Sequence, residues 1–235
     1  MGESKSYSIN DDFVAPMCNE LISILYQDND IVVIDKPSGL LSLSGKDPRN
    51  WDSVHYRLIN GQLNSTAKFK NAKLAHRLDF GTSGIMLVSL NDAASSHLNK
   101  QFQLRNIEKH YIAMLQGWLV DEQGQISEPI AKDKQLFPRV KICLQAGKPA
   151  LTHYHVLKRL NHPQRTLVRL TPLTGRTHQL RIHCWSIGHP IIGCDLYNSD
   201  TSKNLASRLQ LHASDIVFQH PKTSEKIHLH SPIPF

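Results

Sequence analysis

Two short apolar runs, Ile31-Val32-Val33-Ile34 and Ile85-Met86-Leu87-Val88, interrupt a chain that otherwise mixes polar and apolar positions closely. Runs of this length bounded by turn residues predict strands. Asp35-Lys36-Pro37-Ser38-Gly39 closes the first run with strong turn chemistry. The second continues to Leu90, and Asn91 can then cap a helix from Asp92 to about Arg105. Along it Ala94, Leu98 and Phe102 fall at i, i+4 and i+8 and form one apolar stripe for the core. Alternation over Tyr111 to Gln116 predicts a third strand; Tyr154–Leu157, Leu167–Leu170, Leu211–Phe218 and Ile227–Leu229 read as further ones. Thr177 can cap a second helix that carries Leu180, Cys184 and Ile187 on one face. Residues 44–73 read as a loop with a short helix around Trp51 to Leu58, and residues 1–20 as a polar tail. Strands dominate without a regular βαβ rhythm. The fold class is therefore α+β, a mostly antiparallel or mixed sheet core flanked by helices, in a single domain over 21–235.

Composition narrows this little, but charge narrows it more. The chain has 235 residues, 40% of them hydrophobic, enough for one large core. No apolar run nears the roughly 18 residues of a membrane span. The opening, Met1 to Asn10, lacks the apolar core of a signal peptide, so a cytoplasmic protein is expected. Cys18, Cys143, Cys184 and Cys194 are scattered, with no C-x-x-C pair, as in a protein with reduced thiols and no zinc site. The net charge is +7, and between Lys134 and Cys194 lie ten Lys or Arg and no Asp or Glu. The rest of the chain holds 17 basic and 20 acidic residues, so one segment supplies the whole positive excess. A polyanion, most simply nucleic acid, is the natural partner; a solvated basic surface is the bland alternative.

Three segments could carry chemistry. His76-Arg77-Leu78-Asp79-Phe80-Gly81-Thr82-Ser83-Gly84 presents an acid on a glycine-flanked loop that leads into the second apolar run. Such an acid can serve at an anomeric carbon as nucleophile or charge stabiliser, or simply close an Asx-turn. Thr174-Gly175-Arg176-Thr177-His178-Gln179-Leu180-Arg181-Ile182-His183 runs from loop into helix, with Arg176 before the helix, Arg181 inside it and His178 on a polar side. Helix amides plus Arg suit an anion; a solvated basic helix face is the alternative. Lys109-His110-Tyr111 lies on a strand, where a tyrosine ordinarily packs. The pairs His153/His155 and His228/His230 share strand faces, but no Cys or Glu completes a ligand pattern, so no metal is expected.

In order, H-R-L-D-x-x-T-S-G at 76–84, K-x-Y-x-A at 109–113, G-R-T-H-Q-L-R-I-H at 175–183, G-H-P-I-I-G at 188–193 and L-H-A at 211–213 make the chain similar to the RluA-type pseudouridine synthases. The likeness spans about residues 21–235 and is greatest to compact members without an N-terminal S4 domain, for which residues 1–20 are too few. It implies the pseudouridine synthase catalytic fold and an isomerase that breaks the N1–C1′ bond of uridine in folded RNA, turns the uracil and joins C5 to C1′. The resemblance also implies that no metal or redox cofactor takes part. Asp79 becomes the essential carboxylate, attacking C1′ or removing a sugar proton; Tyr111 lies against the base as candidate for proton removal at C5; Arg181 pairs with Asp79. Substrate binding falls to Arg77, which fills the gap left by the flipped uridine, and to His76, Arg176, His178 and Leu211, the last lining the base pocket. The compact members imply dual targets, 23S rRNA and the tRNA anticodon stem-loop, with the chain acting as a monomer. Alternatives are a synthase for tRNA alone, a non-catalytic RNA-binding or chaperone protein of the same fold, and a nucleoside hydrolase. One departure stands out: many relatives place Asp after G-H-P-I-x-G, where this chain has Cys194 and then Asp195.

Overall fold

The two apolar runs lie side by side in the sheet. The computed structural model of the protein describes residues 13–62 and 68–235. In its first half β1 (Ser23–Gln27) and β2 (Ile31–Lys36) form a hairpin, followed by the short helix α1 (Val54–Asn60), β3 (Lys73–Leu74), β4 (Ser83–Ser89) and α2 (Asp92–Leu104). Then come β5 (Glu108–Gln116), β6 (Gln123–Ile126), β7 (Ile130–Lys132), β8 (Val140–Ile142), β9 (Thr152–Leu160) and β10 (Arg165–Pro172). The helices α3 (Gln179–Ser186) and α4 (Asp200–Asn204) and the strands β11 (Leu211–Gln219) and β12 (Lys226–His230) complete the order. Ten strands form one sheet in the order β1-β2-β4-β11-β5-β10-β9-β6, with β12 on β11 and β3 on β4; β7 and β8 pair separately.

β2 and β4 are apolar without alternation because both their faces are covered. Val32, Ile34, Met86 and Val88 join one core cluster, with Val54 and Leu58 of α1. Ile31, Val33, Ile85 and Leu87 join a second on the other face, under Ala94 and Leu98 of α2. A third cluster fills the other half of the molecule, from β5, β9, β10 and α3. α2 begins where the sequence places it: Asn91 accepts from the Ala94 N–H at 2.9 Å, and the helix closes on Arg105 in a left-handed conformation.

The halves meet where β4 and β11 run parallel for only two residue pairs, His212 with Ser83 and Ala213 with Gly84. Gly84 makes this possible: its φ is +113°, and a Cβ there would lie 2.3 Å from the Ala213 carbonyl oxygen. Every other strand pair of the large sheet is antiparallel. The mixed sheet with few helices is the α+β architecture read from the sequence.

Two sequence readings need correction. α3 starts at Gln179, with His178 as its left-handed N-cap, and Thr177 does not cap it. The Gln179 side chain holds the entering loop instead, accepting from Thr174 Oγ1 (2.8 Å) and the Arg176 N–H (3.0 Å) and donating to the Leu151 carbonyl (3.0 Å). Residues 13–20, read as part of a loose tail, have no helix or strand but are tied down. Phe13 packs edge-on against Phe80 (5.4 Å), the Ala15 N–H donates to Asn50, and Arg57 donates to the carbonyls of Cys18 and Glu20. Residues 1–12 of that tail lie outside the described residues.

Candidate active site

The seam between the half-sheets opens into a cleft of about 840 Å³, within the usual range for ligand sites. Every site residue named from the sequence lines it: Asp79, Tyr111, Arg181, Arg77, His76, Arg176, His178 and Leu211. Sequence segments separated by up to 135 positions thus converge because β11 pairs with β4 on one side and β5 on the other, and α3 lines the same cleft.

Asp79 stands on the loop before β4, and this loop is fastened by the turn after β2. Lys36 Nζ donates to the carbonyls of Pro37 (2.9 Å), Leu40 (2.7 Å) and Phe80 (3.2 Å). Ser38 Oγ donates to the Gly81 carbonyl (2.7 Å), and Ser42 Oγ both donates to the Leu78 carbonyl (2.7 Å) and accepts from the Leu78 N–H (3.1 Å). Three carbonyls around Asp79 are therefore held by side chains of one turn. Burial pulls the Lys36 pKa down to about 7, against the attraction of nearby groups that include Asp79. The turn was legible as a turn; its lysine was not legible as a clamp, because a D-K-P-S-G string reads as solvated polar residues.

The Asp79 carboxylate is a quarter exposed and makes one ion pair among the described residues, with Arg181 Nη1 at 3.8 Å. Arg181 itself is buried, and its hydrogen bonds go elsewhere: Nη2 to the Asp195 carboxylate, Nη2 and Nε to Cys194 Sγ at 3.3 and 3.4 Å. Cys194 and Asp195 grip the guanidinium from behind and leave Nη1 facing Asp79. The dipeptide that departs from the family pattern is thus the anchor of the arginine. Its signal in the sequence was Asp195 as the first acid after the acid-free stretch. The Tyr197 ring lies 5.5 Å from the guanidinium carbon, and its hydroxyl meets His178 Nδ1 at 3.0 Å while accepting from the Val140 N–H.

Tyr111 lies on β5 against both flanking core clusters, and its hydroxyl has no hydrogen-bond partner among the described residues. Burial, and then the charge of Asp79, push its pKa well above the ordinary tyrosine range. Thr82 contributes to the same cleft a buried hydroxyl without a partner among the described residues. His76 accepts from the Leu87 N–H through Nε2 (3.0 Å) and stacks on Phe102, with ring centroids 4.9 Å apart. Burial, and secondarily the charge of Lys109, hold its pKa down to about 3, so it is neutral. Burial likewise lowers the pKa of His178. Arg77 is exposed, Leu211 is buried at the start of β11, and Arg176 Nε donates to the Pro149 carbonyl at 3.0 Å. Among the described residues one group has metal-ligand spacing, Asp28, Asp30 and His220, and none of the three lines the cleft.

A family model described as RNA pseudouridylate synthase matches residues 30–186. The chain is 46% identical to the dual-specificity RNA pseudouridine synthase RluA of Haemophilus ducreyi over 89% of this chain and 92% of that one. It is 42% identical to the protein of the same name from Pasteurella multocida, over 94% and 97%. Among solved structures, human RNA pseudouridylate synthase domain containing 1 matches with a TM-score of 0.74 at 30% identity, over 94% of this chain and 86% of that one. Fold and likeness together define an isomerase that converts uridine in RNA to pseudouridine. The chain belongs to the RNA pseudouridylate synthase family.

Proposed function

We propose that Asp79 is the catalytic carboxylate of this isomerase and that the substrate uridine enters the seam cleft flipped out of its stack. The observation that carries this reading is the pairing of Asp79 with a buried arginine in a cleft that also holds a tyrosine hydroxyl unpartnered among the described residues. A carboxylate suits chemistry at C1′. The uracil leaves and returns within the site, so no second acid is needed to activate water. C5 loses one proton and N1 gains one, so the isomerisation needs no net acid, oxidant or metal.

Arg181 aims Asp79. Tyr111 packs against the base and relays the C5 proton, passing on its own hydroxyl proton towards N1 as it accepts that one, only after Asp79 has spent its charge at the sugar. While Asp79 is an anion it raises the tyrosine pKa; an ester at C1′, or a proton on the carboxylate, removes that influence. Arg77 occupies the gap left by the flipped nucleotide, Leu211 lines the base pocket, and His76, Arg176 and His178 complete the substrate surface.

The targets we propose are stem-loops of both 23S rRNA and tRNA, recognised in the cytoplasm by a monomer. The name of the relatives, dual-specificity synthases, supports two targets. No helix among the described residues is long and apolar enough to cross a membrane, and the excess of cations in 134–194 suits an RNA backbone. The test is pseudouridine mapping of total RNA from cells with and without the gene. Loss of one site in each RNA class is expected, and loss from tRNA alone overturns the dual reading. Tritium release from uridine-5-tritiated transcripts persists after chelator treatment if no metal takes part.

A further inference from the structure

The cleft extends past the catalytic groups to a second set of residues, Phe102 and Arg105 at the end of α2 and Lys109 on β5. Lys109 has neither a hydrogen bond nor an ion pair among the described residues; its ammonium lies 5.4 Å from the centroid of the Phe102 ring. It is half-buried, and burial lowers its pKa. A cation kept partly out of water without a protein counter-ion, offset only by an aromatic face, is poorly explained as a structural element. Arg105 follows Phe102 by three residues, is exposed, and its guanidinium likewise has no acid partner among the described residues. The acid nearby, Glu108, faces Lys226 at 3.7 Å.

Position makes this pair useful. Lys109 and Tyr111 are two residues apart on β5 and so share a face, about 7 Å apart along the strand. A group bound at Lys109 sits beside, not inside, the space proposed for the base. Neither Lys109 nor Arg105 belongs to the basic segment 134–194; both fall in the part of the chain that is acidic on balance. Charge counting along the sequence hid them.

We propose that Lys109 and Arg105 form a phosphate subsite that grips a phosphodiester next to the flipped nucleotide of an RNA strand. The inference rests on the proposed reading of the cleft as an RNA site. Lys109 supplies a point charge held in place by Phe102, and Arg105 supplies a planar donor at the rim. The subsite fixes where the strand lies without reading its sequence.

The test measures RNA affinity against salt for the wild type, Lys109→Met and Arg105→Met, with tritium release recorded on the same proteins. Each substitution is expected to lower the slope of log affinity on log salt by about 0.7–0.9, the loss of one phosphate contact. KM rises several-fold, more than release at saturating RNA falls, and Lys109→Arg restores the slope. An unchanged slope with reduced release shows that Lys109 only supports Tyr111 and His76, and overturns the proposal. Arg105→Met, at an exposed side chain, keeps the test open if Lys109→Met does not fold. Wild-type protein that binds RNA but releases no tritium overturns the catalytic reading instead, and the slopes still report on the subsite.

Discussion

Arg181 is asked to face two acids at once. The buried guanidinium bonds Asp195 and Cys194 on one side and approaches Asp79 at 3.8 Å on the other. This geometry favours turnover over affinity if Asp79 is the proposed catalytic carboxylate, because Nη1 points at it. Arg181→Met is expected to reduce the rate of tritium release by about 10²–10³, the usual cost of losing a preorganised charge at a reacting centre, while RNA binding falls far less. Equal losses in both would remove the aiming role. Tyr111 gives a second expectation. With its pKa raised by burial and by Asp79, it rests as a phenol, and the proton relay proposed for it comes late. Tyr111→Phe keeps the ring and should bind RNA normally while losing about 10²–10⁴ in release of the C5 proton, as for a missing general base. Full release from Tyr111→Phe would assign the proton to another acceptor.

At the scale of elements, the turn after β2 does more than reverse the chain. Its Lys36, Ser38 and Ser42 hold the Leu78, Phe80 and Gly81 carbonyls that shape the loop of Asp79. Lys36→Met leaves three carbonyls without their donor and should cost roughly 1–3 kcal/mol of stability, read as a lower denaturant midpoint, with a fall in turnover as the loop loosens. An unchanged midpoint would show that water or backbone replaces the lysine. Elements with a strong local signal were legible: β2 and β4 from unbroken apolar runs, α2 from Asn91 and its stripe, β5 and β11 from their extended apolar patterns. β6, β7 and β8 were not, because strands of three or four residues such as Gln123–Ile126 show no period. The site was legible as residues but not as a place. The motifs give Asp79, Tyr111 and Arg181, yet the parallel contact of β4 with β11 that joins them depends on one close backbone approach at Gly84. Lys36 escaped for the same reason, since the Phe80 carbonyl it holds lies 44 positions off in sequence; Asp195 stands 14 positions from Arg181 and reads in the sequence as a departure from the family pattern, not as an anchor.

Across the whole molecule, four histidines share one electrostatic direction. Burial lowers the pKa of His76, to about 3, and lowers those of His178, His183 and His212. An unfolded histidine takes a proton near pH 6.5, whereas the buried His76 ring resists it until near pH 3. Between those values the unfolded chain binds more protons, so stability is complete above pH 6.5 and is lost as pH falls. Keeping the His76 ring neutral costs on the order of 1 kcal/mol at one pH unit below 6.5, and the other three act in the same direction. Urea midpoints should therefore drop between pH 7.5 and 5.5, and His76→Gln, which keeps an acceptor for the Leu87 N–H, should flatten the fall. A variant as acid-sensitive as the wild type would show that His76 titrates normally.

The central claim, that Asp79 performs the chemistry on RNA held by the rest of the cleft, is tested most directly by Asp79→Asn. Release of tritium from uridine-5-tritiated stem-loop transcripts is followed beside RNA binding by the same protein. The account predicts that release is abolished and binding persists. Release at the wild-type rate from Asp79→Asn would contradict it.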